Sequence, residues 1–140
     1  TKTNTPMAKT QHIFFEPSEV KVAICTCGGL CPGLNVVIRE IVTGLKGYGV
    51  NEFYGVQFGY RGFYSYDWMP LTIDKVKDIH HYGGTILGSS RGGFDGEKII
   101  NSLLEKGINQ LFIIGGDGTH KGIMALYKII KERNLKISIV

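Results

Sequence analysis

The chain has 140 residues, of which 16 are Lys or Arg and 12 are Asp or Glu, leaving a net charge of +4. A hydrophobic share of 43% with 20% charged residues excludes a disordered chain and fits one ordinary domain. No apolar run approaches the ~18 residues of a membrane helix, no signal-peptide series opens the chain, and dispersed charge excludes a nucleic-acid stripe.

A mildly basic balance suits anionic small molecules such as phosphates. The 20 glycines are about twice the usual share and gather in loops without a period, so collagen-like sequence is excluded too. Three cysteines, Cys25, Cys27 and Cys31, form an odd, local set. That is a poor disulfide framework, and a reduced, cytosolic setting is expected. Cys25 and Cys27 point the same way from a strand with no second pair elsewhere, which favours small apolar filler over a metal site.

Residues 1–19 read as an arm whose apolar patch, Phe14, Phe15 and Pro17, docks onto a domain spanning 20–140. Val22 to Cys25 is a continuous apolar run, as in a parallel strand buried on both faces. A glycine-rich turn, 27–33, follows. Leu34, Val37, Ile38, Ile41, Val42 and Leu45 then mark one face of a helix ending near Gly47 and Gly49. Phe53 to Phe58 reads as a second strand, followed by an aromatic-rich loop with Gly59, Tyr60, Arg61 and Gly62. Thr72 is placed to cap a short helix with Asp74 in its first turn, closing near Gly83. Thr85 to Leu87 is extended and leads into the loop 88–93. Asp95 is placed to cap a helix with Ile99, Ile100, Leu103 and Leu104 on its apolar face and Gly107 at its end. Leu111 to Ile114 is another buried strand. The turn 115–119 opens a helix with Ile123, Leu126, Tyr127 and Ile130 on one face, and a further strand starts at Lys136.

Alternating strands and helices predict an α/β, Rossmann-like, three-layer fold: a mostly parallel sheet with helices on both faces. The last residues are an apolar strand without a turn or polar end. The expectation is an N-terminal piece of a longer protein, with its domain incomplete at the C-terminus.

In such sheets ligands bind beyond the carboxyl ends of the strands. Three glycine-rich loops, 27–33, 88–93 and 115–119, fall there and offer unobstructed N–H groups, two of them at helix starts where an anion is favoured. Glycine also serves tight strand–helix turns, so each loop alone has a structural reading. Three together, with Arg91 in one, favour a polyphosphate cradle. Gly28 to Gly33 has P-loop spacing, but Leu34-Asn35 stand where Lys and Ser/Thr are required. The G-x-G-x-x-G dinucleotide fingerprint is absent as well. Asp117, between glycines at a helix start, either caps the helix or reaches a phosphate through Mg²⁺. Arg91 has the planar fork suited to phosphate oxygens. Tyr60 and Arg61 either stack on a base or pack on their own domain. His80, His81 and His120 read as surface or capping residues.

Four stretches carry a resemblance to the 6-phosphofructokinase family: Thr26-Cys27-Gly28-Gly29-Leu30-Cys31-Pro32-Gly33-Leu34-Asn35, Phe58-Gly59-Tyr60-Arg61-Gly62, Gly83 to Gly92, and Gly115-Gly116-Asp117-Gly118-Thr119-His120. NAD kinases and lipid kinases share the last alone; the four in order and spacing are specific. Cys-Gly-Gly-Leu-Cys-Pro-Gly and the lead-in Ile13 to Pro17 resemble the ATP-dependent subgroup of plants and trypanosomatids. The resemblance implies the N-terminal domain of a two-domain fold. It also implies glycolytic phosphoryl transfer from ATP to the 1-hydroxyl of fructose 6-phosphate, with Mg²⁺, in the cytoplasm or an organelle, by a homo-oligomer, commonly a tetramer. Gly28, Gly92, Gly116, Gly118 and Thr119 would approach the nucleotide phosphates, and Tyr60 would lie near the nucleotide. Arg91 would contact phosphate and stabilise charge in flight, and Asp117 would bind Mg²⁺. Gly118 leaves space for the α-phosphate and so favours ATP over pyrophosphate, where the family carries Asp. The family's catalytic base, in a Thr-Ile-Asp motif, falls beyond residue 140, so the 140 residues alone are expected to be inactive. A pyrophosphate-dependent enzyme and a non-catalytic nucleotide-binding subunit are the competing readings.

Overall fold

A run of β-branched and small apolar residues covered on both faces can only be a central strand. In a computed structural model, which describes residues 16–27, 33–77, 93–115 and 119–140, that strand is β1, Lys21–Cys27. Val22 and Ile24 enter one core, Ala23, Cys25 and Cys27 the other. β2 (Glu52–Val56) and β4 (Gln110–Gly115) flank β1 as parallel partners. β3 (Met69–Leu71) adds to β2 antiparallel, and β5 (Ser138–Ile139) adds to β4 in parallel. The order is β3-β2-β1-β4-β5.

The first face is covered by α1 (Leu34–Gly47), whose Ile38 and Val42 are wholly buried, and by α3 (Ile73–Val76) through Val76. The second face is covered by α2 (Gly62–Ser65), α4 (Gly96–Glu105) and α5 (Thr119–Glu132). The three-layer, mostly parallel α/β architecture is therefore as expected. Two caps also follow the sequence. Thr72 accepts from the Lys75 N–H at 3.1 Å and Asp95 from the Lys98 N–H at 3.2 Å. Gly107, at φ +72°, ends α4 in the left-handed region that favours glycine.

Several elements differ from expectation. On α1 the buried arc runs through Leu34, Asn35, Ile38 and Val42, so it is turned away from Val37, which is 41% exposed. Leu104 is likewise 41% exposed, because Ile99, Ile100 and Leu103 suffice to seat α4. The second strand ends at Val56, not Phe58. Phe58 adopts φ +65° and turns the chain back so tightly that a side chain on Gly62 would strike the Gln57 carbonyl. The segment read as a loop forms a 3₁₀ turn, Gly59–Arg61, and then α2. β3 was not expected, since three residues with a proline in the middle carry no alternation signal. The helix capped by Thr72 spans only Ile73–Val76; its expected close near Gly83 and the extension at Thr85 to Leu87 lie outside the described residues. Of the arm, Pro17–Glu19 forms a 3₁₀ turn tied to the domain where the Asn109 side-chain amide donates to the Glu19 carbonyl at 3.2 Å; Phe14 and Phe15 lie outside the described residues.

Cys25 and Cys27 fill the core beside the end of β1, with their sulfurs 3.3 Å apart. The hydrogen bond with Cys27, then burial, hold the Cys25 thiol well above its ordinary range. The folded chain keeps a proton that the unfolded chain releases. Stability is therefore full below the ordinary thiol pKa of ~8.5 and is lost as pH rises beyond it, by up to ~1.4 kcal/mol per pH unit. Thermal midpoints measured from neutral to alkaline pH are expected to fall along that slope, and Cys25→Ala to flatten it.

Candidate functional site

The site is set by where the sheet reverses direction. From β1 the chain goes to β2 on one side, then returns to β4 on the other, so the crevice opens beyond the carboxyl ends of β1 and β4. Cys27 and Gly115 close these strands as register partners. The chain therefore leaves the sheet at neighbouring points, after Cys27 and after Gly115. Each exit leads into a helix: α1, with Gly33 at φ +87° as its N-cap, and α5. Helix starts present N–H groups without intrahelical partners, which suits an anion.

Gly115 shows how closely the backbones meet. A Cβ there would lie 2.6 Å from the Cys27 carbonyl oxygen and would strike the Thr119 hydroxyl. Only glycine lets the two strand ends and the start of α5 share this space.

The third loop ends beside the same region. Gly93, at φ +75°, lies so near the 3₁₀ turn that a Cβ would fall 2.9 Å from that of Arg61. The Tyr64 hydroxyl donates to the Gly93 carbonyl at 2.6 Å. Arg61 itself is exposed, as is His120.

Tyr60 links these parts. Its hydroxyl donates to the Thr119 carbonyl at 3.2 Å. Its ring meets Phe94 edge-on, with centroids 5.0 Å apart, and covers Gly122 of α5. At 8% exposure the side chain is buried against its own domain. Burial, followed by the two neighbouring cysteines, raises its pKa, so the hydroxyl stays a proton donor.

Of the residues singled out from sequence, Tyr60 and Thr119 are described and are brought together. Gly28, Arg91, Gly92, Gly116, Asp117 and Gly118 lie outside the described residues, as do Cys31, His80 and His81. Sequence reasoning missed Phe94 and Gly122. An isolated glycine three positions into a helical pattern was the available signal for Gly122, because such a glycine usually marks a close approach. Phe94 had no signal, since its partner is far away in sequence.

An open, mostly parallel sheet whose two central strands end together at the reversal point is the frame in which α/β domains take ligands at the carboxyl ends of their strands. Residues 21–140 match the phosphofructokinase family, and the chain belongs to that family. It is 52% identical over 131 residues to ATP-dependent 6-phosphofructokinase 7 of Arabidopsis thaliana, covering 93% of this chain and 27% of that protein. It is 52% identical over 134 residues to the ATP-dependent 6-phosphofructokinase of Borreliella burgdorferi, covering 93% of this chain and 30% of that one. The chain thus spans under a third of the length of these relatives. A pyrophosphate-dependent phosphofructokinase from Marinobacter aquaeolei has the same fold, with a TM-score of 0.77 at 17% identity over 86% of this chain and 32% of that one. No helix among the described residues is long and apolar enough to cross a membrane.

Proposed function

We propose that the protein is an ATP-dependent 6-phosphofructokinase and that these residues form the phosphoryl-donor side of its site. The observation that carries this reading is the pairing of Cys27 with Gly115 at the sheet reversal, the residues that precede two of the family's glycine-rich stretches. The 52% identity to proteins named ATP-dependent supports the choice of donor, against 17% for the pyrophosphate-dependent one.

In this reading the glycines, Gly28, Gly92, Gly116 and Gly118, bring backbone N–H groups against the donor phosphates, and Thr119 adds the start of α5. Gly115 supports this arrangement by letting the two strand ends meet, since a Cβ there would fall 2.6 Å from the Cys27 carbonyl oxygen. Asp117 would hold Mg²⁺, whose charge offsets that of the phosphate oxygens. The 1-hydroxyl of fructose 6-phosphate would give its proton to the aspartate of the family's Thr-Ile-Asp motif, outside these residues, as its oxygen bonds to the γ-phosphorus and the bond to the β-bridging oxygen breaks, and Arg91 would stabilise charge on the transferring group. Positioning and charge stabilisation supply nearly all of such catalysis, and these residue types provide both. A homo-oligomer working in the cytoplasm completes the proposal.

The test is an assay of the full-length protein with fructose 6-phosphate and Mg²⁺, offered ATP and pyrophosphate in parallel. Product is expected from ATP and not from pyrophosphate. Gly118→Asp is expected to weaken ATP use by at least tenfold, because a carboxylate beside the α-phosphate repels it. Efficient turnover with pyrophosphate would overturn the donor assignment, and turnover with neither would overturn the enzyme reading.

A further inference from the structure

We propose that the cleft between the end of α4 and the β2–β3 side of the sheet is a binding site for a small zwitterion, an α-amino acid with an apolar side chain. Tyr54, Asp67, Trp68 and Lys106 line this cavity of about 390 Å³. That volume lies at the lower end of small-molecule sites, which suits a ligand of amino-acid size. The cavity stands apart from the crevice. Tyr54 is in the middle of β2, and Lys106 caps α4 just before β4 begins. The crevice opens at the other end of β4, after Gly115. None of the four residues belongs to the stretches that carry the family resemblance, so phosphoryl transfer gives them no role.

The walls are held aromatic surface. The Trp68 indole N–H donates to the Phe63 carbonyl at 3.4 Å. Its ring meets Phe63 edge-on, with centroids 5.9 Å apart, and Tyr54 at 6.4 Å. The Tyr54 hydroxyl donates to Glu52 at 2.8 Å. Both ring donors are thus taken, and what the rings offer a ligand is apolar surface in a fixed place.

The charges select the ligand. Lys106 holds its ammonium over the Trp68 ring, 5.0 Å from the centroid. Asp67 is exposed on the same cavity. Opposite charges that share a cleft can neutralise each other, yet among the described residues neither of these forms an ion pair. The cavity therefore presents one cation and one anion, each able to take a partner, beside aromatic surface. The carboxylate of an amino acid would meet Lys106, its ammonium Asp67, and its side chain the Tyr54 ring. A simple anion or a simple amine would satisfy one of the two charges and be repelled by the other.

The test is equilibrium dialysis of the full-length protein against L-norvaline, and against pentanoate and butylamine, each of which keeps one of its two charges. Norvaline is expected to bind with a Kd on the order of 1 mM, and the other two about tenfold more weakly. Asp67→Asn and Lys106→Gln are each expected to weaken norvaline binding about fivefold, the scale of one exposed charge contact. Both positions are exposed, so thermal midpoints should stay within about 2 °C of the unaltered protein's. Glu105→Gln is the matched control. It removes an exposed charge beside Lys106 but outside the cavity lining, and norvaline binding should hold. The site stands independently of the donor assignment, so turnover with ATP or pyrophosphate does not bear on it. Norvaline binding that is absent, that is matched by pentanoate or butylamine, or that is unchanged in both cavity variants would overturn the proposal.

Discussion

Asp117→Asn is expected to lower kcat with fructose 6-phosphate, ATP and Mg²⁺ about a thousandfold, at unchanged folding stability. The substitution is nearly isosteric and removes one negative charge. It also separates the two readings that the sequence leaves open. Asn caps a helix about as well as Asp, so a capping residue would tolerate the change. A carboxylate that holds a cation against transferring phosphate would not, because the charge it neutralises acts in a dry, low-dielectric site. The measurement is kcat at saturating substrates beside a urea midpoint. A fall below about tenfold would leave Asp117 as a cap and remove the metal role.

Gly115→Ala is expected to cost about 3 kcal/mol of stability, the upper range for inserting a methyl into a filled space. The new Cβ would meet the Cys27 carbonyl oxygen at 2.6 Å and the Thr119 hydroxyl. The first is backbone of the central strand and cannot give way without parting β1 from β4. The second belongs to the first residue of α5, so the same methyl displaces the helix start that faces the crevice. ATP-dependent activity should therefore fall more than the stability loss alone explains. Gly44→Ala is the contrast. It sits exposed in α1 with nothing within 4 Å of its Cβ position, and it should stabilise by about 1 kcal/mol through helix propensity. Urea midpoints of the two variants check both signs. Equal, small effects would show that the strand ends are looser than their pairing implies.

Two further glycines show how the reading of a sequence divides. Gly107 was legible as a helix stop, because the need for a left-handed residue after a periodic run is local. Gly122 was visible only as an oddity within a helix. Its reason is the ring of Tyr60, 62 positions earlier, and no local pattern announces such a partner. The same holds for faces. Periodicity found the apolar side of α1 but included Val37 and passed over Asn35, because only the position of the sheet beneath decides where the buried arc is centred.

The amino-acid sequence by itself determined the alternation of the longer strands and helices, the caps at Thr72 and Asp95, the burial of β1 on both faces, and the family, through four glycine-rich stretches in fixed order. These follow from short-range causes: side-chain periodicity, backbone hydrogen bonds of a few residues' reach, and the steric freedom of glycine. Only the tertiary structure decided that β3 runs antiparallel at the edge, that Cys27 and Gly115 end opposite each other, and that Tyr60 is buried against Thr119, Phe94 and Gly122. Those depend on strand order and on contacts between residues tens of positions apart, where the balance of burial and close packing is struck across the whole fold and is not carried by any one segment.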